Sequence, residues 1–415
     1  MRGFFAVDPV EKKQPPLLVP RCTECGLWQG CRSPKMPPSG LGERRVLIVA
    51  EAPGEAEDEQ GVQLVGKAGQ LLRQTLAQIG VDLDRDCIKT NALICRPPGN
   101  RAPTNAEVDH CRPNLNSVIK EYDPEIIIPL GQAAARAIIG PVWREDVGPL
   151  FRWVGWRIPD ITRNAWVCPA WHPSFVLRTE NQPDHALTSK LFRRHLNAAF
   201  LCEGRPYPDG PPNYTAGATI FQDPEAAAIA LSGVPRDRGI MSFDFETDRL
   251  KPDIQHSRIV TASLAWGLGP KPELVYSFPW EGRAIREFSL LLQSPVLKMA
   301  HNLQMEDRWT RAKLAHPVRN WRWCTQQVAH VLDNRQSTTS LKFQGYVRLG
   351  QPGYDGAVKP YLEAEATAIL SKSNSPNSIR ELALGKLLEY GAMDAALTYR
   401  LAWCQARDLG VSLLL

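Results

Sequence analysis

Two pairs of polar side chains, far apart in the chain, have spacings that would let them share one metal site. Asp244 and Glu246 end an apolar run, while Tyr390 and Asp394 lie within a helical pattern. Residues two apart on a strand, or four apart on a helix, point to the same face. Carboxylate oxygens suit Mg²⁺ or Mn²⁺, and two such ions about 4 Å apart can clamp the attacking and leaving oxygens of a phosphodiester. These residues therefore predict a metal-dependent nuclease site.

A third segment, 298–307, supplies further acids between the two pairs and reads as a short apolar strand followed by a helix. In this order, the three segments resemble the proofreading 3′→5′ exonuclease domain of family A DNA polymerases, which has a ribonuclease-H-like fold. The resemblance covers the chain from about residue 239 to the C-terminus. It implies that two Mg²⁺ or Mn²⁺ ions are held by Asp244, Glu246 and Asp394, and that the hydroxyl of Tyr390 orients the attacking water.

The chain departs from this family at one metal ligand. The family usually has Asp four residues after Asn302, whereas this chain has Glu306 there, followed by Asp307. Because the longer carboxylate can still reach a metal, we expect Glu306 to be the fourth ligand, with Asp307 as its substitute. The change is expected to reduce nuclease activity.

The N-terminal half has a different signal, carried by cysteines. Cys22 and Cys25 form a C-x2-C pair, and Cys95 and Cys111 supply two more thiols. Four thiolates can bind either a tetrahedral zinc ion or an iron-sulfur cluster, and their spacing leaves both open. In a chain without secretory features, ligation is favoured over disulfides.

The segments around these cysteines predict an α/β unit. Residues 44–50 form an apolar strand signal, which is followed by an acidic turn, a glycine-rich loop at 64–70 and an amphipathic helix. A second strand ends at Asn91, a capping box begins a helix at Thr104, and 125–130 is a further buried strand. A strand, a glycine-rich loop and a helix in succession indicate a loop that faces a ligand.

These residues, in this order over about 21–201, resemble a family 4 uracil-DNA glycosylase. The resemblance implies a [4Fe-4S] cluster on Cys22, Cys25, Cys95 and Cys111. It also implies a uracil pocket, formed by Glu51, Ala52, Glu57, Leu64, Asn91, His172 and Ser174.

Each role in this pocket has a physical reason. An enzyme that acts on a base must flip it from the stack, at a cost of a few kcal/mol, and read its Watson-Crick edge. Asn91 can do so, because its amide offers both a donor and an acceptor. His172 is the expected donor to the leaving uracil, where negative charge develops. Glu51 is expected to position water or stabilise the sugar cation, and Glu57 to crowd the C5 edge and exclude thymine.

Leu64 is the clearest departure from the glycosylase pattern, since the family normally has Phe there to stack on the flipped base. Base–aromatic stacking contributes about 1–3 kcal/mol. We therefore expect a weak or altered glycosylase. The alternative is that the cluster domain is a non-catalytic module that binds DNA or recruits a polymerase for the exonuclease. A second alternative keeps the glycosylase active and makes the exonuclease vestigial, because of Glu306.

Composition agrees with two α/β domains. The chain has 415 residues, 43% of them apolar, and a net charge of +5, which permits nucleic acid as a partner. We expect a glycosylase-like αβα sandwich with its cluster at 1–202, a linker and leading helix at 203–235, and the exonuclease domain at 236–415. The whole would be a DNA repair enzyme that joins uracil excision to 3′→5′ digestion.

The expected partners follow from these activities. They are single-stranded or uracil-containing DNA and a DNA polymerase acting in trans, since no polymerase palm is found up to Leu415. No apolar stretch approaches the roughly 20 residues that cross a bilayer. Residues 1–19 lack the apolar core of a signal peptide. The expected location is cytoplasmic, without a membrane partner.

Overall fold

The computed structural model describes residues 22, 24–143, 146–362 and 374–414. The start of the chain, where we expect no signal peptide, lies outside these residues. Two compact units are found: Met1–Ile139 with Pro169–Leu201, and Gly140–Cys168 with Cys202–Leu415. The expected boundaries at 202 and 235 stay predictions.

The first unit contains a parallel arrangement of three strands in the order β2-β1-β3. Its central strand β1 is buried along its whole length, as expected for a parallel strand covered on both faces. Its elements are β1 (Val46–Ala50), α1 (Glu55–Gln60), α2 (Lys67–Ala77), α3 (Leu83–Asp86), β2 (Cys87–Asn91), α4 (Asn105–Tyr122), β3 (Ile126–Pro129), α5 (Gln132–Trp143), which runs into the second unit, α6 (Pro173–Arg178) and α7 (His185–Phe200).

The start of helix α4 confirms the predicted capping box. The Thr104 hydroxyl accepts a hydrogen bond of 3.3 Å from the Glu107 N–H, and the Glu107 carboxylate accepts one of 2.8 Å from the Thr104 N–H. Two backbone donors that a helix N-terminus leaves without partners are thereby satisfied. This cap fixes the start of the helix that carries Cys111.

The second unit is built on a six-stranded sheet in the order β11-β10-β7-β8-β9-β6. Its first part comprises β4 (Ile158–Asp160), β5 (Ala165–Val167), β6 (Thr219–Ile220), α8 (Pro224–Ser232), β7 (Ile240–Thr247), β8 (Ile259–Gly267), β9 (Leu274–Pro279) and α9 (Gly282–Gln293). Its second part comprises β10 (Leu297–Ala300), α10 (Leu303–Leu314), β11 (Trp321–Cys324), α11 (Thr325–Leu332), α12 (Leu341–Leu349), α13 (Lys359–Leu362) and α14 (Leu384–Leu409).

The pairing pattern of this sheet matches the expected ribonuclease-H-like class. Strands β7, β8 and β9 form an antiparallel meander, and β10 and β11 then add in parallel on the other side of β7. Both units are therefore mixed α/β structures, which confirms the predicted fold class.

Strand β7 separates the core from the acidic residues by its alternation. Phe243 and Phe245 belong to one apolar core, where Phe243 packs on Phe288 and on Trp321. Because successive side chains of a strand point to opposite faces, Asp244 and Glu246 are directed to the other face. Helix α14 packs on that face, where the Ser242 hydroxyl donates a 2.7 Å hydrogen bond to the carbonyl of Ala395.

Within the described ranges, no helix is both long enough and apolar enough to traverse a lipid bilayer.

Candidate active sites

Three of the predicted metal ligands meet in the second unit. One ligand oxygen each from Asp244, Glu246 and Asp394 lies within 4.8 Å of the others. Helix α14 can bring Asp394 this close because Gly391 has no side chain: a Cβ there would lie 2.5 Å from the Ser263 hydroxyl on β8. The absent side chain thus lets the helix press against the sheet, where it carries its acid to the two on β7.

The raised pKa values of Asp244 and Glu246 indicate that a cation would stabilise their ionised forms. Burial, reinforced by the charge of Asp394, raises the pKa of Asp244 to about 7. Burial and the charges of Asp244 and Asp394 raise the pKa of Glu246 well above its usual value. Like charges that are packed together disfavour ionisation, and a divalent ion among them would reverse this effect. The oxygen-only donor set fits Mg²⁺ or Mn²⁺.

Glu306 lies beside this group, whereas Asp307 is engaged elsewhere. Glu306 is 1% exposed, its pKa is raised by burial and by the charges of Asp244 and Glu246, and its Oε2 atom has no hydrogen-bond partner in the described part of the protein. The oxygens of Asp307 accept hydrogen bonds from the Val318 N–H (2.9 Å) and from the Arg311 side chain (2.5 Å). The geometry thus favours Glu306 over Asp307 as the additional ligand.

Two further residues of this site, Lys342 and Tyr354, were not among those predicted from the sequence. The Lys342 ammonium donates to both oxygens of Asp394, at 3.2 and 3.4 Å, and to the hydroxyl of Tyr390. The Tyr354 hydroxyl donates to Oδ1 of Asp394. One signal could have identified Lys342: it stands between two apolar residues, Leu341 and Phe343, both of which are buried.

In the first unit, three predicted pocket residues follow the carboxyl ends of neighbouring strands. Asn91 ends β2 opposite Ala50, the last residue of β1, and Glu51 comes next. His172 follows Ala170, which forms a bridge with Leu130 directly after β3. Oε1 of Glu51 accepts a 3.0 Å hydrogen bond from the Ala133 N–H, which fixes this carboxylate at the start of α5. The carboxyl ends of parallel strands are the usual place for a ligand site.

Asn91 offers a buried hydrogen-bond donor. The residue is 2% exposed, and in the part of the chain that the structure describes its Nδ2 atom has no partner. An unsatisfied buried donor costs roughly 1–3 kcal/mol, and a water molecule or a ligand that accepts its hydrogen bond would remove this cost. The exocyclic oxygen of a base is such a ligand.

His172 is held as a neutral donor. Its Nδ1 atom accepts a hydrogen bond from the Ser174 N–H at 3.2 Å and contacts the Ser174 hydroxyl at 2.8 Å. Burial lowers the pKa of His172, and the opposing charges of Glu51 and Glu57 do not overcome this effect. Because a neutral imidazole whose Nδ1 accepts carries its proton on Nε2, that atom can donate to a substrate.

Glu57 organises the loop that carries Leu64. Its Oε1 accepts from the N–H groups of Val65 (3.0 Å) and Gly66 (2.8 Å), and its Oε2 accepts from Gly54 (3.1 Å). Leu64 has a φ of 56°, in the left-handed region, and is 5% exposed. The Leu64 side chain therefore offers an apolar surface on a constrained backbone. Ala52 is half-buried in the turn after β1.

The four cysteines line one cavity together with Leu27, Leu93, Ile94, Glu107 and His110. Burial raises the pKa of Cys95 to about 12 and that of Cys111 to about 11. Among these described thiols, no three have sulfur atoms that all lie within 4.8 Å of one another. Four thiols around one cavity are a donor set that suits either a tetrahedral zinc ion or an iron-sulfur cluster.

Comparison with known proteins gives a family for the first unit and a polymerase relative for most of the chain. The family model of the uracil DNA glycosylase superfamily matches residues 37–199. A type-4 uracil-DNA glycosylase of Pyrobaculum aerophilum is 38% identical over 164 residues, which is 39% of this chain and 82% of that protein. A DNA polymerase of Bacillus phage SP01 is 26% identical over 357 residues, which is 78% of this chain and 36% of the polymerase.

A solved structure of Trypanosoma brucei RNase D covers 47% of this chain and 67% of its own, at 15% identity and a TM-score of 0.35. The identity of 38% to the Pyrobaculum aerophilum glycosylase, over 82% of that protein's length, shows the family. Through its N-terminal part, this chain belongs to the type-4 uracil-DNA glycosylase family.

Proposed function

We propose that this protein excises uracil from DNA and also digests DNA from the 3′ end in a metal-dependent reaction. Family membership supports the first activity, and the carboxylate group in the second unit supports the second. Cleavage of a glycosidic bond and hydrolysis of a phosphodiester place different demands on a site, and each unit has residues suited to one of them.

The observation that carries the glycosylase proposal is the buried Nδ2 donor of Asn91, which has no hydrogen-bond partner among the residues that the structure describes. This amide would read the edge of a flipped uracil, and its donor would be satisfied only when a base is bound. The Nε2–H of His172 would donate to a base oxygen as negative charge develops on the leaving uracil. Glu51 would stabilise the sugar cation or position water. Leu64 would form the apolar wall beside the base, without the stacking surface of an aromatic ring.

The four cysteines fit a [4Fe-4S] cluster, which is the cofactor that we propose for the first unit. Cys22 and Cys25 come from the N-terminal turn, Cys95 from the segment after β2 and Cys111 from helix α4. A cluster bound there would join three segments distant in sequence and supply structural order. Two of the four proposed ligands, Cys95 and Cys111, are thiols whose burial otherwise favours the protonated form by raising the pKa.

The nuclease proposal rests on the convergence of carboxylates at β7 and α14. Asp244, Glu246, Asp394 and Glu306 would hold two Mg²⁺ or Mn²⁺ ions, which would stabilise the charge of the attacking and leaving oxygens when bound. The Tyr390 hydroxyl would orient the attacking water. Action of a DNA polymerase in trans remains a prediction.

Two variants test the two activities separately. Asp244→Ala should abolish Mg²⁺-dependent digestion of single strands and leave uracil excision in EDTA unchanged. Asn91→Ala should abolish uracil excision in EDTA and leave Mg²⁺-dependent digestion of single strands unchanged. If the uracil-containing strand stays intact with wild-type protein that retains its cluster, the first unit is a DNA-binding module. If Asp244→Ala digests DNA as the wild type does, the carboxylate group is not the nuclease site.

A further inference from the structure

The side-chain ammonium of Lys342 lies in the carboxylate site of the second unit. Lys342 lies in the first turn of α12, between two buried apolar neighbours, and its ammonium is within 3.2 Å of Oδ2 and 3.4 Å of Oδ1 of Asp394. It also lies 4.6 Å from the ring centre of Tyr390 and 5.1 Å from that of Tyr354. Two aromatic faces and a carboxylate therefore fix the position of the charge.

The direction of the hydrogen bonds around Lys342 follows from its chemistry. An ammonium has three donors and no acceptor, so the Tyr390 oxygen must accept the bond from Lys342. The hydroxyl proton of Tyr390 is therefore directed away from Lys342 and is available to another group. The Tyr354 hydroxyl is a donor here, unlike the Tyr390 oxygen, because it donates its hydrogen bond to the carboxylate of Asp394.

Lys342 also offsets charge among the acids. Its ammonium forms an ion pair of 3.2 Å with the Asp394 carboxylate, which is one of three acids in the same site. The same carboxylate of Asp394 is one of the three within reach of a metal ion. A divalent cation that binds Asp394 therefore meets the repulsion of a fixed ammonium next to it.

We propose that Lys342 is a positioning residue of the nuclease site, which holds the Tyr390 hydroxyl and the Asp394 carboxylate together and provides a counter-charge with which the metal ion competes. This inference deepens the proposed nuclease function and rests on it for the part that concerns turnover. The part that concerns metal affinity can be tested without any activity.

The two parts predict opposite effects of one substitution. In Lys342→Met, the ammonium no longer opposes the metal ion, so Mn²⁺ should bind about fivefold more tightly or better. Turnover of a single-stranded oligonucleotide at saturating Mn²⁺ should nevertheless fall about tenfold or more, because Tyr390 loses the donor that orients it. A residue that served only to stabilise the fold would weaken metal binding and activity together.

The experiment uses the full chain and compares Lys342→Met, Lys342→Arg and the control Lys386→Met, whose lysine is exposed on α14. Mn²⁺ affinity is measured by calorimetry, and turnover by single-turnover digestion at saturating Mn²⁺. Lys386→Met should match the wild type in both. Lys342→Arg should keep wild-type Mn²⁺ affinity, because the charge remains, and should lose part of the turnover, because a planar guanidinium directs its donors differently.

The double variant with Tyr390→Phe supplies the second readout. If Lys342 acts through Tyr390, the loss of turnover in Lys342→Met/Tyr390→Phe should be close to that of Tyr390→Phe alone. Fully additive losses, or unchanged Mn²⁺ affinity in Lys342→Met, would overturn the proposal. If Lys342→Met does not fold, Lys342→Gln replaces it, with the same outcomes required. A wild-type protein that binds Mn²⁺ without digesting DNA would refute the nuclease proposal. The Mn²⁺ affinities of Lys342→Met and the wild type would still show whether Lys342 competes with the metal ion.

Discussion

Glu57 holds Gly66 by a hydrogen bond of 2.8 Å from the Gly66 N–H to its Oε1 atom, and through this contact it fixes the loop that contains Leu64. The same carboxylate accepts two further backbone hydrogen bonds. Its part in the structure is thus to shape the pocket loop, while the exclusion of thymine by this residue stays a prediction.

Removal of this carboxylate should destabilise the protein. In Glu57→Ala, three backbone donors lose a charged acceptor, and we expect the free energy of unfolding of the first unit to fall by about 2–4 kcal/mol. Urea unfolding measures the change. The control is Glu59→Ala on the same helix, whose exposed ion pair with Arg32 should contribute within about 1 kcal/mol. Equal effects of the two variants would contradict this role of Glu57.

Leu64 is expected to limit the affinity for the flipped base. An aromatic ring in its place would stack on uracil and gain about 1–3 kcal/mol. Leu64→Phe should therefore raise single-turnover uracil excision about tenfold at subsaturating DNA. Leu41→Phe serves as the matched control, because Leu41 is 73% exposed and should leave the rate unchanged. No gain in Leu64→Phe would refute this explanation of weak binding.

The state of His172 predicts the pH dependence of excision. Because burial lowers its pKa below the ordinary value of about 6.5, the imidazole stays neutral from pH 6.5 upward. As the pH falls through the lowered pKa, the ring gains a second proton and the hydrogen bond from the Ser174 N–H must break. The excision rate should be flat from pH 6.5 to 8 and fall only below that range. The profile is measured by single-turnover kinetics in EDTA, and in His172→Ala the acidic decline should vanish along with most of the rate.

Loss of one cluster ligand should affect the first unit alone. Cys95→Ser should bind less iron and sulfide and show reduced visible absorbance, because serine replaces a thiolate ligand. Uracil excision should fall with the cluster, while Mn²⁺ binding by the second unit should persist. Cys404→Ser, in the second unit, is the control and should retain the iron content of the wild type. Full iron content in Cys95→Ser would exclude Cys95 as a ligand.

The sequence predicts those parts of the sites that depend on local periodicity. Alternation along β7 places Phe243 and Phe245 on one face of the strand and the two acids, Asp244 and Glu246, on the other. The spacing of four residues places Tyr390 and Asp394 on one face of helix α14. Both are properties of a single element. The C-x2-C pair and the capping box at Thr104 are similarly local.

Lys342 and Tyr354 could not be predicted in this way, because they reach Asp394 from α12 and from the segment after it. Their positions depend on how these segments pack on α14. A similar limit applies to 140–168, which lies within the second unit: Trp153 packs against Trp143 at 5.4 Å and Phe343 at 5.1 Å between ring centres. The contact between Trp153 and Phe343 joins residues far apart in sequence, so it leaves no periodic signal.

The most direct test of the two proposed activities uses one 5′-labelled strand with a single internal uracil, and a matched strand with thymine. In EDTA followed by alkali, we expect a break at uracil only. After addition of Mg²⁺, we expect both strands to be shortened from the 3′ end, and Asp244→Ala should abolish this shortening. An intact uracil strand in EDTA, from protein that retains its iron, would contradict uracil excision. Undiminished digestion by Asp244→Ala would contradict the proposed nuclease site.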